Sequence, residues 1–294
     1  MPKYRKPLPA ELPVPETVDP AALGTAWLQG DIDMVVVLGP TASGKTKYAV
    51  RLAKALGEGC PDPSRREAEP VPVRAEIISA DSRQVYRGMD IGTGKDLAEY
   101  DGIPCHLIDI RDAGSQYNVY EFCEDFRRAY DDIRSRGALP VLCGGTGLYI
   151  HAATAGYDFR SSKPLSEKSG ADSPVAPSDG IRSYFIGTLV SRDVRNARID
   201  ARLKARLEEG MIDEIRGLLD GTNPGCRDGK PVPAETLISY GLEYKFVTRY
   251  LLGQLSYEQM AGSLSTAIHQ FAKRQMTWFR GMERSGVRIH WVQV

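Results

Sequence analysis

The chain has 294 residues with 38 basic and 38 acidic side chains, so its formal net charge at neutral pH is zero. A chain of this length can bury a full hydrophobic core. The balanced charge argues against a uniformly basic nucleic-acid-binding protein and leaves room only for a local basic face. The sequence contains no apolar run of the roughly 18 residues that a membrane-spanning helix needs. Residues 1–10 lack the apolar segment of a secretory signal, so we expect a cytoplasmic protein without membrane contact.

The cysteines and histidines form no pattern typical of a structural metal site or a disulfide framework. The five cysteines are odd in number, no C-x-x-C pair occurs, and the four histidines are scattered. This usage predicts reduced thiols, as in cytoplasmic proteins, and no zinc module.

Composition divides the chain into a leader, one domain and an internal loop. Residues 1–33 are rich in proline and are predicted to be a draped or disordered leader. Residues 34–294 are predicted to form a single domain. Within it, residues 157–180 are rich in Ser, Pro, Gly, Asp and Lys and lack periodicity, which predicts a short flexible loop.

A segment early in the domain matches the phosphate-binding pattern G-x-x-x-x-G-K-[ST]. It follows an apolar strand predicted over Met34–Leu38 and precedes a helix predicted over residues 47–56. The backbone N–H groups of such a strand-to-helix turn point at an anion, Lys45 adds a point charge, and the Thr46 hydroxyl can bind Mg²⁺. The alternative is a glycine-rich turn without a ligand. The expected phosphate-binding residues are Gly39, Thr41, Ala42, Ser43, Gly44, Lys45 and Thr46.

A second apolar strand ends immediately before Asp81. Because ligands of doubly wound sheets lie at the carboxyl ends of the strands, Asp81 and the polar residues Ser82 and Gln84 are candidate site residues. The alternative for Asp81 is the cap of a helix or turn, a role that Asp fills well. A loop with a second lysine, residues 87–95, follows; its alternative is a solvated turn.

Strands alternate with helices through the rest of the domain, and the last third is mostly helical. This order predicts an α/β fold with a P-loop NTPase-like parallel sheet flanked by helices and a mostly helical C-terminal part. Strands are predicted over residues 104–110, 139–143, 183–190 and 288–292. Helices are predicted over residues 118–136, from 148, and over 193–209, 212–219, 233–252 and 257–284.

The predicted helix over residues 257–284 has two distinct faces. Its apolar stripe has the spacing of a core-facing helix and comprises Leu264, Ile268, Phe271, Gln275 and Trp278. Lys273, Arg280 and Arg284 lie on another face, which could contact nucleic-acid phosphates. The alternative for these three cations is a solvated helix face.

The ordered motifs of this chain resemble those of the tRNA dimethylallyltransferase family. The resemblance spans about residues 34–153 and 184–281, most of the chain. It is carried by the segments 39–46, 81–86, 92–95, 105–110, 144–149 and 272–280.

This resemblance implies an enzyme that transfers a dimethylallyl group from dimethylallyl diphosphate to N6 of adenosine 37 in the tRNA anticodon loop, with Mg²⁺ as cofactor. It implies Asp81 as general base, Thr146 near the reacting carbon and Arg192 on the diphosphate. The alternative for Thr146 is a helix cap. We expect a monomer. The residues expected at the adenine or the tRNA are Asp81, Ser82, Arg83, Gln84, Lys273, Arg274, Gln275 and Arg280.

The chain departs from the family pattern at three places. Residues 157–180 stand where members that act on bacterial tRNA have a helical insertion that grips the anticodon stem-loop. Arg195 and Asn196 replace an apolar–aromatic pair, and Ile268-His269 replaces Thr-Arg. The alternative for Arg195 is a solvated helix face.

Other functions remain compatible with the same phosphate loop. Loss of the insertion favours prenylation of a free adenine nucleotide, as in cytokinin-forming members of the family. A nucleotide kinase would also need the loop, but the sequence has no arginine-rich lid and no clear second carboxylate for a metal. A paralogue that only binds RNA would not need Asp81, Thr146 and Lys45 together.

Overall fold

The structure is a computed structural model that describes residues 12–61, 69–155, 157–158, 163–164 and 180–294. Two short strands, β5 (Tyr157–Asp158) and β6 (Lys163–Pro164), pair antiparallel with each other. The main sheet of the described residues is parallel throughout. It comprises β1 (Met34–Leu38), β2 (Ala75–Ala80), β3 (Cys105–His106), β4 (Leu139–Gly144), β7 (Ser183–Leu189) and β8 (Ile289–Gln293).

The strand order of the main sheet is β3-β2-β4-β1-β7-β8, so β1 lies between β4 and β7 near the centre. All five residues of β1 are buried, as expected for a strand covered on both faces. Because the strands are parallel, the loops after β1, β2, β4 and β7 leave the same edge of the sheet. The predicted phosphate loop, Asp81 and Thr146 are therefore brought together there.

Helices cover both faces of the sheet. One buried cluster of apolar side chains, which includes Phe122, Ile150 and Phe279, lies on one face, and a second, which includes Val50 and Leu56, lies on the other. A third cluster, around Tyr244 and Leu264, joins the C-terminal helices. The predicted fold class is confirmed. The helices are α1 (Pro20–Leu28), α2 (Lys45–Gly57), α3 (Val119–Ser135), α4 (Gly147–Ala155), α5 (Arg192–Glu208), α6 (Met211–Asp220), α7 (Ala234–Tyr240), α8 (Leu242–Leu251) and α9 (Tyr257–Arg284).

The structure corrects three of the predicted elements. The leader is not wholly draped, because α1 is a regular helix that is capped by Asp19, packs on α2 and buries Leu23. The strand predicted over 104–110 stops at His106, since Leu107 and Asp109 have positive φ angles. The helix predicted over 233–252 is broken between α7 and α8 at Gly241, whose φ and ψ are 77° and −177°.

The predicted loop of residues 157–180 lies almost entirely outside the described residues. Only β5, β6 and Gly180 are described there. Among the residues that the structure describes, no helix is long and apolar enough to cross a membrane.

Candidate active site

The phosphate loop turns directly from β1 into α2. Gly44 is the residue before the first helical turn and has a φ of 81°, a left-handed conformation that strains residues with a Cβ. At Gly39, a Cβ would lie 2.1 Å from Oγ1 of Thr188. Ser43 is fully buried, and its hydroxyl shares a 2.6 Å hydrogen bond with that of Thr188. The loop is therefore fastened to β7 on its inner side.

A small cavity of about 180 Å³ opens over the phosphate loop. Gly39 and Ser43, predicted to bind phosphate, do not line this cavity. Both instead lie close to Thr188 of β7. Arg192, predicted to hold the diphosphate, does not line it either and is exposed at the start of α5. The loop lines the cavity with Thr41, Ala42, Gly44, Lys45 and Thr46, and the residues that face it include Asp81, Arg83, Gln84, Arg202, Arg206 and Glu243.

Lys45 supplies the positive charge of the phosphate loop, and its side chain lines this cavity. Burial lowers the pKa of Lys45 below its ordinary value, and the nearby Arg202 lowers it further. The neighbouring groups Cys143 and Asp81 act in the opposite direction. Two cations beside one buried cavity repel each other, so an anionic ligand would stabilise the charged form of Lys45.

Arg202 and Arg206 are site residues that the sequence reasoning missed. Arg202 donates to the carbonyl oxygen of Gly94 at 3.1 Å, and Arg206 donates to that of Gly92 at 3.3 Å and to Glu243 at 3.4 Å. Burial, followed by repulsion from Arg202, lowers the pKa of Arg206 to about 10. A four-residue spacing puts the two arginines on one face of α5, which is the signal that could have identified them.

The loop of residues 90–95 holds these arginines at the cavity. Its Gly94 has a φ of 63°, and a Cβ there would lie 1.6 Å from Nη2 of Arg206. One carboxylate, Glu214, accepts hydrogen bonds from the backbone N–H groups of Asp90, Ile91 and Gly92 at 2.6–3.0 Å. The loop is thus a rigid wall of the cavity and not a solvated turn.

Lys95 also anchors the same loop to the protein interior. Its side chain is 1 % exposed. The ammonium group donates to Asp90 at 2.7 Å and to the carbonyl oxygen of Tyr86 at 2.8 Å, and it also pairs with Asp109. All of these contacts are within the protein, so Lys95 is a structural residue behind the cavity.

Asp81 lies at the carboxyl end of β2, on the wall of the cavity. Its Oδ1 accepts hydrogen bonds from the backbone N–H groups of Arg83, at 2.9 Å, and Gln84, at 3.4 Å. Within the described residues, Oδ2 has no hydrogen-bond partner. The capping role and the proposed base role are therefore compatible, because each uses a different oxygen.

Thr146 connects the loops that follow β2 and β4. Its hydroxyl accepts a 3.3 Å hydrogen bond from the backbone N–H of Ser82, and its own N–H donates to the carbonyl oxygen of Ala80 at 3.3 Å. Its carbonyl oxygen accepts the first helical bond of α4, from Ile150 at 3.1 Å. The hydroxyl group is engaged across the site and does not cap the helix.

A second, larger pocket of about 620 Å³ adjoins the first. Four residues line both pockets and form the boundary between them: Arg83, Leu242, Phe271 and Gln275. The guanidinium groups of Arg83 and Arg274 lie 5.6 and 6.0 Å from the ring centre of Phe271. The second pocket combines aromatic, hydroxyl and cationic side chains, among them Ser82, Thr146, Lys245, Phe246, Arg274 and Trp278.

Gln275 is one of the residues that the sequence predicts at the adenine or the tRNA. Its side chain is buried, and both ends of the amide bind backbone. Oε1 accepts from the N–H of Thr41 at 2.8 Å, and Nε2 donates to the carbonyl oxygen of Gly145 at 2.9 Å. Gln275 therefore joins α9 to two site loops.

The cations predicted at the tRNA lie on different sides of α9. Arg274 is exposed and lines the second pocket. Lys273 is exposed and Arg280 is half-buried, and neither lines either of these two pockets. Gln84, predicted at the adenine, lines the phosphate cavity, where its Nε2 donates to the carbonyl oxygen of Gly94 at 3.4 Å.

The fold is that of a P-loop-like protein, with two adjoining pockets beside the phosphate loop. The family model described as IPP transferase matches residues 84–173 and 159–282. A tRNA dimethylallyltransferase of Porphyromonas gingivalis is 47 % identical and is aligned over 88 % of this chain and 93 % of its own. Another, from Parabacteroides distasonis, is 43 % identical, with 88 % and 92 % covered.

Solved structures agree with these relatives. The tRNA isopentenylpyrophosphate transferase of Bacillus halodurans matches with a TM-score of 0.64 and 32 % identity, over 89 % of each chain. That of Staphylococcus epidermidis matches with a TM-score of 0.65 and 26 % identity, over 88 % of this chain and 92 % of its own. This chain belongs to the IPP transferase family, and it is a transferase.

Proposed function

We propose that this protein transfers the dimethylallyl group of dimethylallyl diphosphate to N6 of adenosine 37 in tRNA. The observation that carries the proposal is the adjacency of the two pockets. The cavity over Lys45 suits a diphosphate and the second pocket suits a flipped base; Asp81 lines the first and Thr146 the second. The relatives reported above are named for the same reaction on tRNA.

The diphosphate would lie on the backbone of the phosphate loop. Lys45 donates to its oxygens, and Arg202 and Arg206 face it from α5. These cations stabilise the negative charge that builds up on the leaving group as the bond between the allylic carbon and oxygen breaks. In this role they replace Arg192 of the sequence-based prediction.

Asp81 accepts the proton that N6 loses. The N6 lone pair forms the new bond to the allylic carbon, the electrons of the carbon–oxygen bond leave with diphosphate, and the N6 proton passes to the free Oδ2 of Asp81. The turn that engages Oδ1 holds the carboxylate in place. Thr146, fixed by the N–H of Ser82, borders the reacting carbon.

Prenyl transfer in this family uses a divalent metal, and we propose Mg²⁺. No cluster of three or more His, Cys, Asp or Glu side chains that could hold a metal occurs among the described residues. The oxygen donors of the cavity nevertheless suit a hard cation that also binds the diphosphate, since Thr46 and Glu99 line it. When bound, Mg²⁺ would neutralise part of the charge of the diphosphate.

We also propose that the protein acts as a monomer on cytoplasmic tRNA. We also propose that residues 34–294 are one catalytic domain, with 157–180 in place of the helical insertion. The alignments to the relatives extend over 307 and 309 positions, more than the 294 residues of this chain. The relatives therefore have residues without a counterpart here, which supports a shortened insertion.

The reaction is tested by incubating the protein with dimethylallyl diphosphate, Mg²⁺ and an unmodified tRNA that carries A36-A37-A38. We expect one prenyl group per tRNA by mass, located at A37 after nuclease digestion. Product on the same tRNA with A37→G, or no product on either RNA, would contradict the proposal.

A further inference from the structure

A cluster of arginines lies outside both pockets, at the junction of α5 and α9. Arg192 and Arg195 occupy the first turn of α5, and Arg280 lies in the last turns of α9. Arg195 is close enough to both of the others to be affected by their charges. Among the described residues, none of the three guanidinium groups has a hydrogen-bond acceptor or a carboxylate partner. We refer to these three residues as the arginine cluster.

The packing of α5 on α9 explains why the cluster forms. His269 contacts Asp200 through Nε2 at 2.9 Å and Asn196 through Nδ1 at 3.2 Å, and Ser265 donates to Asp200 at 3.2 Å. Earlier residues of α5 thus face later residues of α9, so the two helices run antiparallel. The first turn of α5 therefore lies beside the part of α9 that follows His269, which contains Lys273 and Arg280.

Arg195 is the central member and is poorly solvated. Its Nε atom is inaccessible to solvent and has no hydrogen-bond partner within the described residues. Burial lowers the pKa of Arg195, and Arg192 and Arg280 lower it further. A buried donor without an acceptor and three like charges side by side both cost free energy in the ligand-free protein. An anion bound to the cluster would relieve the repulsion among the three charges.

We propose that Arg192, Arg195 and Arg280 form a phosphate-binding site for the backbone of the RNA acceptor, outside the pocket that receives the base. The inference rests on the proposed function, because it takes the acceptor to be RNA. The sequence predicted a basic face on α9 only. The proposed site adds Arg192 and Arg195 of α5 to that face. The guanidinium group suits this role because its planar fork binds phosphate oxygens in pairs.

Two observations favour an RNA over a free phosphate. First, Lys273 and Arg274 are exposed on α9, and Arg274 lines the second pocket. Cations therefore follow α9 from that pocket to the cluster, and one polyanion could contact them all. Second, the phosphate cavity already provides Lys45, Arg202 and Arg206 for the diphosphate. Arg195 would partly replace the RNA contacts of the missing insertion.

The test measures the affinity of the full-length protein for an anticodon stem-loop as a function of salt. The RNA carries A37→G, so that binding is measured without turnover. Arg195→Gln and Arg280→Gln should each weaken binding severalfold at low salt and flatten the log–log salt dependence by about 0.7–0.9 for each lost phosphate contact. Arg195→Lys should retain part of the affinity, because it keeps the charge and loses the fork.

Lys204→Gln is the matched control. Lys204 is on the same helix, its side chain is 79 % exposed, and it pairs with Glu208 at 3.9 Å, away from the cluster. This control should bind RNA like the wild type. Thermal unfolding of each variant identifies any loss of fold, and Arg280→Gln, on the other helix, tests the site independently.

The inference is overturned if both glutamine variants keep the wild-type salt slope. It is also overturned if they weaken the binding of inorganic diphosphate or raise KM for the donor while RNA affinity is unchanged, because the cluster would then serve a small anion. Failure of the proposed function is distinguishable: the wild-type protein would form no prenylated RNA at A37, whatever the binding slopes.

Discussion

Gln275 accepts a 2.8 Å hydrogen bond from the backbone N–H of Thr41, so that α9 is joined directly to the phosphate loop. The same amide donates to Gly145, at the carboxyl end of β4. A Cβ at Gly145 would lie 2.3 Å from Nε2 of Gln275, so glycine is needed for this approach. The helix that borders the second pocket is therefore hydrogen-bonded directly to the phosphate loop.

Gln275→Glu is expected to break this connection while preserving the size of the side chain. The carboxylate has no donor for the carbonyl oxygen of Gly145 and would be buried beside it. We expect the free energy of unfolding to fall by about 1–3 kcal/mol and KM for the donor to rise. Urea denaturation and donor kinetics measure the two effects. Gln254→Glu, at an exposed position before α9, is the control. Equal behaviour of the two variants would argue against the connection.

Lys45→Ala is expected to lower kcat/KM for the donor by at least ~100-fold with the fold intact. A charge-assisted contact contributes about 1.5–3 kcal/mol to ground-state binding and more in the transition state. Circular dichroism controls for folding. A variant with turnover near the wild-type level at saturating donor would remove Lys45 from the diphosphate site.

The pH profile gives an independent measure of Lys45. Its pKa is lowered by burial, so the ammonium group loses its charge at a lower pH than the ordinary value of 10.5. Donor binding needs the charged form; it is therefore complete at low pH and is lost as the pH rises through the lowered pKa. Lys45→Arg should move this loss to higher pH. An unchanged profile in Lys45→Arg would show that another group titrates.

Asp81→Asn is expected to slow the chemical step at least ~100-fold and to change donor affinity little. Asparagine can keep the Oδ1 contacts to the backbone of Arg83 and Gln84, but its amide nitrogen cannot take a proton from N6. Single-turnover kinetics at saturating donor and RNA measure the step. A loss confined to donor affinity would instead make Asp81 a metal or capping residue.

Gly94→Ala tests whether Arg202 and Arg206 hold the diphosphate. The added Cβ would displace both guanidinium groups, because it would lie 1.6 Å from Arg206 and 2.4 Å from Arg202. KM for the donor should rise about 10-fold or more, with KM for RNA nearly unchanged. Gly102→Ala is the matched control, since Gly102 also has a positive φ and no atom within 4 Å of its Cβ position. Equal donor KM in both variants would refute the role of the two arginines.

The sequence predicted the parts of the fold that depend on local signals. The bounds of α9 agree with the prediction because Ser256 and Gln259 form a capping box at its start. β3 was predicted too long because positive φ angles at Leu107 and Asp109 are set by tertiary contacts; the latter residue pairs with the buried Lys95. An apolar pattern cannot show such a contact.

The sequence likewise predicted only part of the candidate site, because local signals do not show tertiary contacts. Motif residues such as Lys45 and Asp81 follow strands whose ends meet at one edge of the sheet, so their proximity could be expected. Arg202 and Arg206 reach the cavity only because α5 packs on α9 and on the loop of residues 92–94. The buried role of Gln275 could not be predicted, because its two partners are backbone groups of loops distant in sequence.

The central claim is tested most directly by comparing kcat/KM for three acceptors at saturating dimethylallyl diphosphate. These are a tRNA with A36-A37-A38, the same tRNA with A37→G, and AMP. We predict efficient prenylation of the first, none of the second, and at most a trace with AMP, because the second pocket and the cations along α9 suit a base presented by RNA. Efficient prenylation of AMP with none of the tRNA would contradict the account and assign the protein to free-nucleotide prenylation.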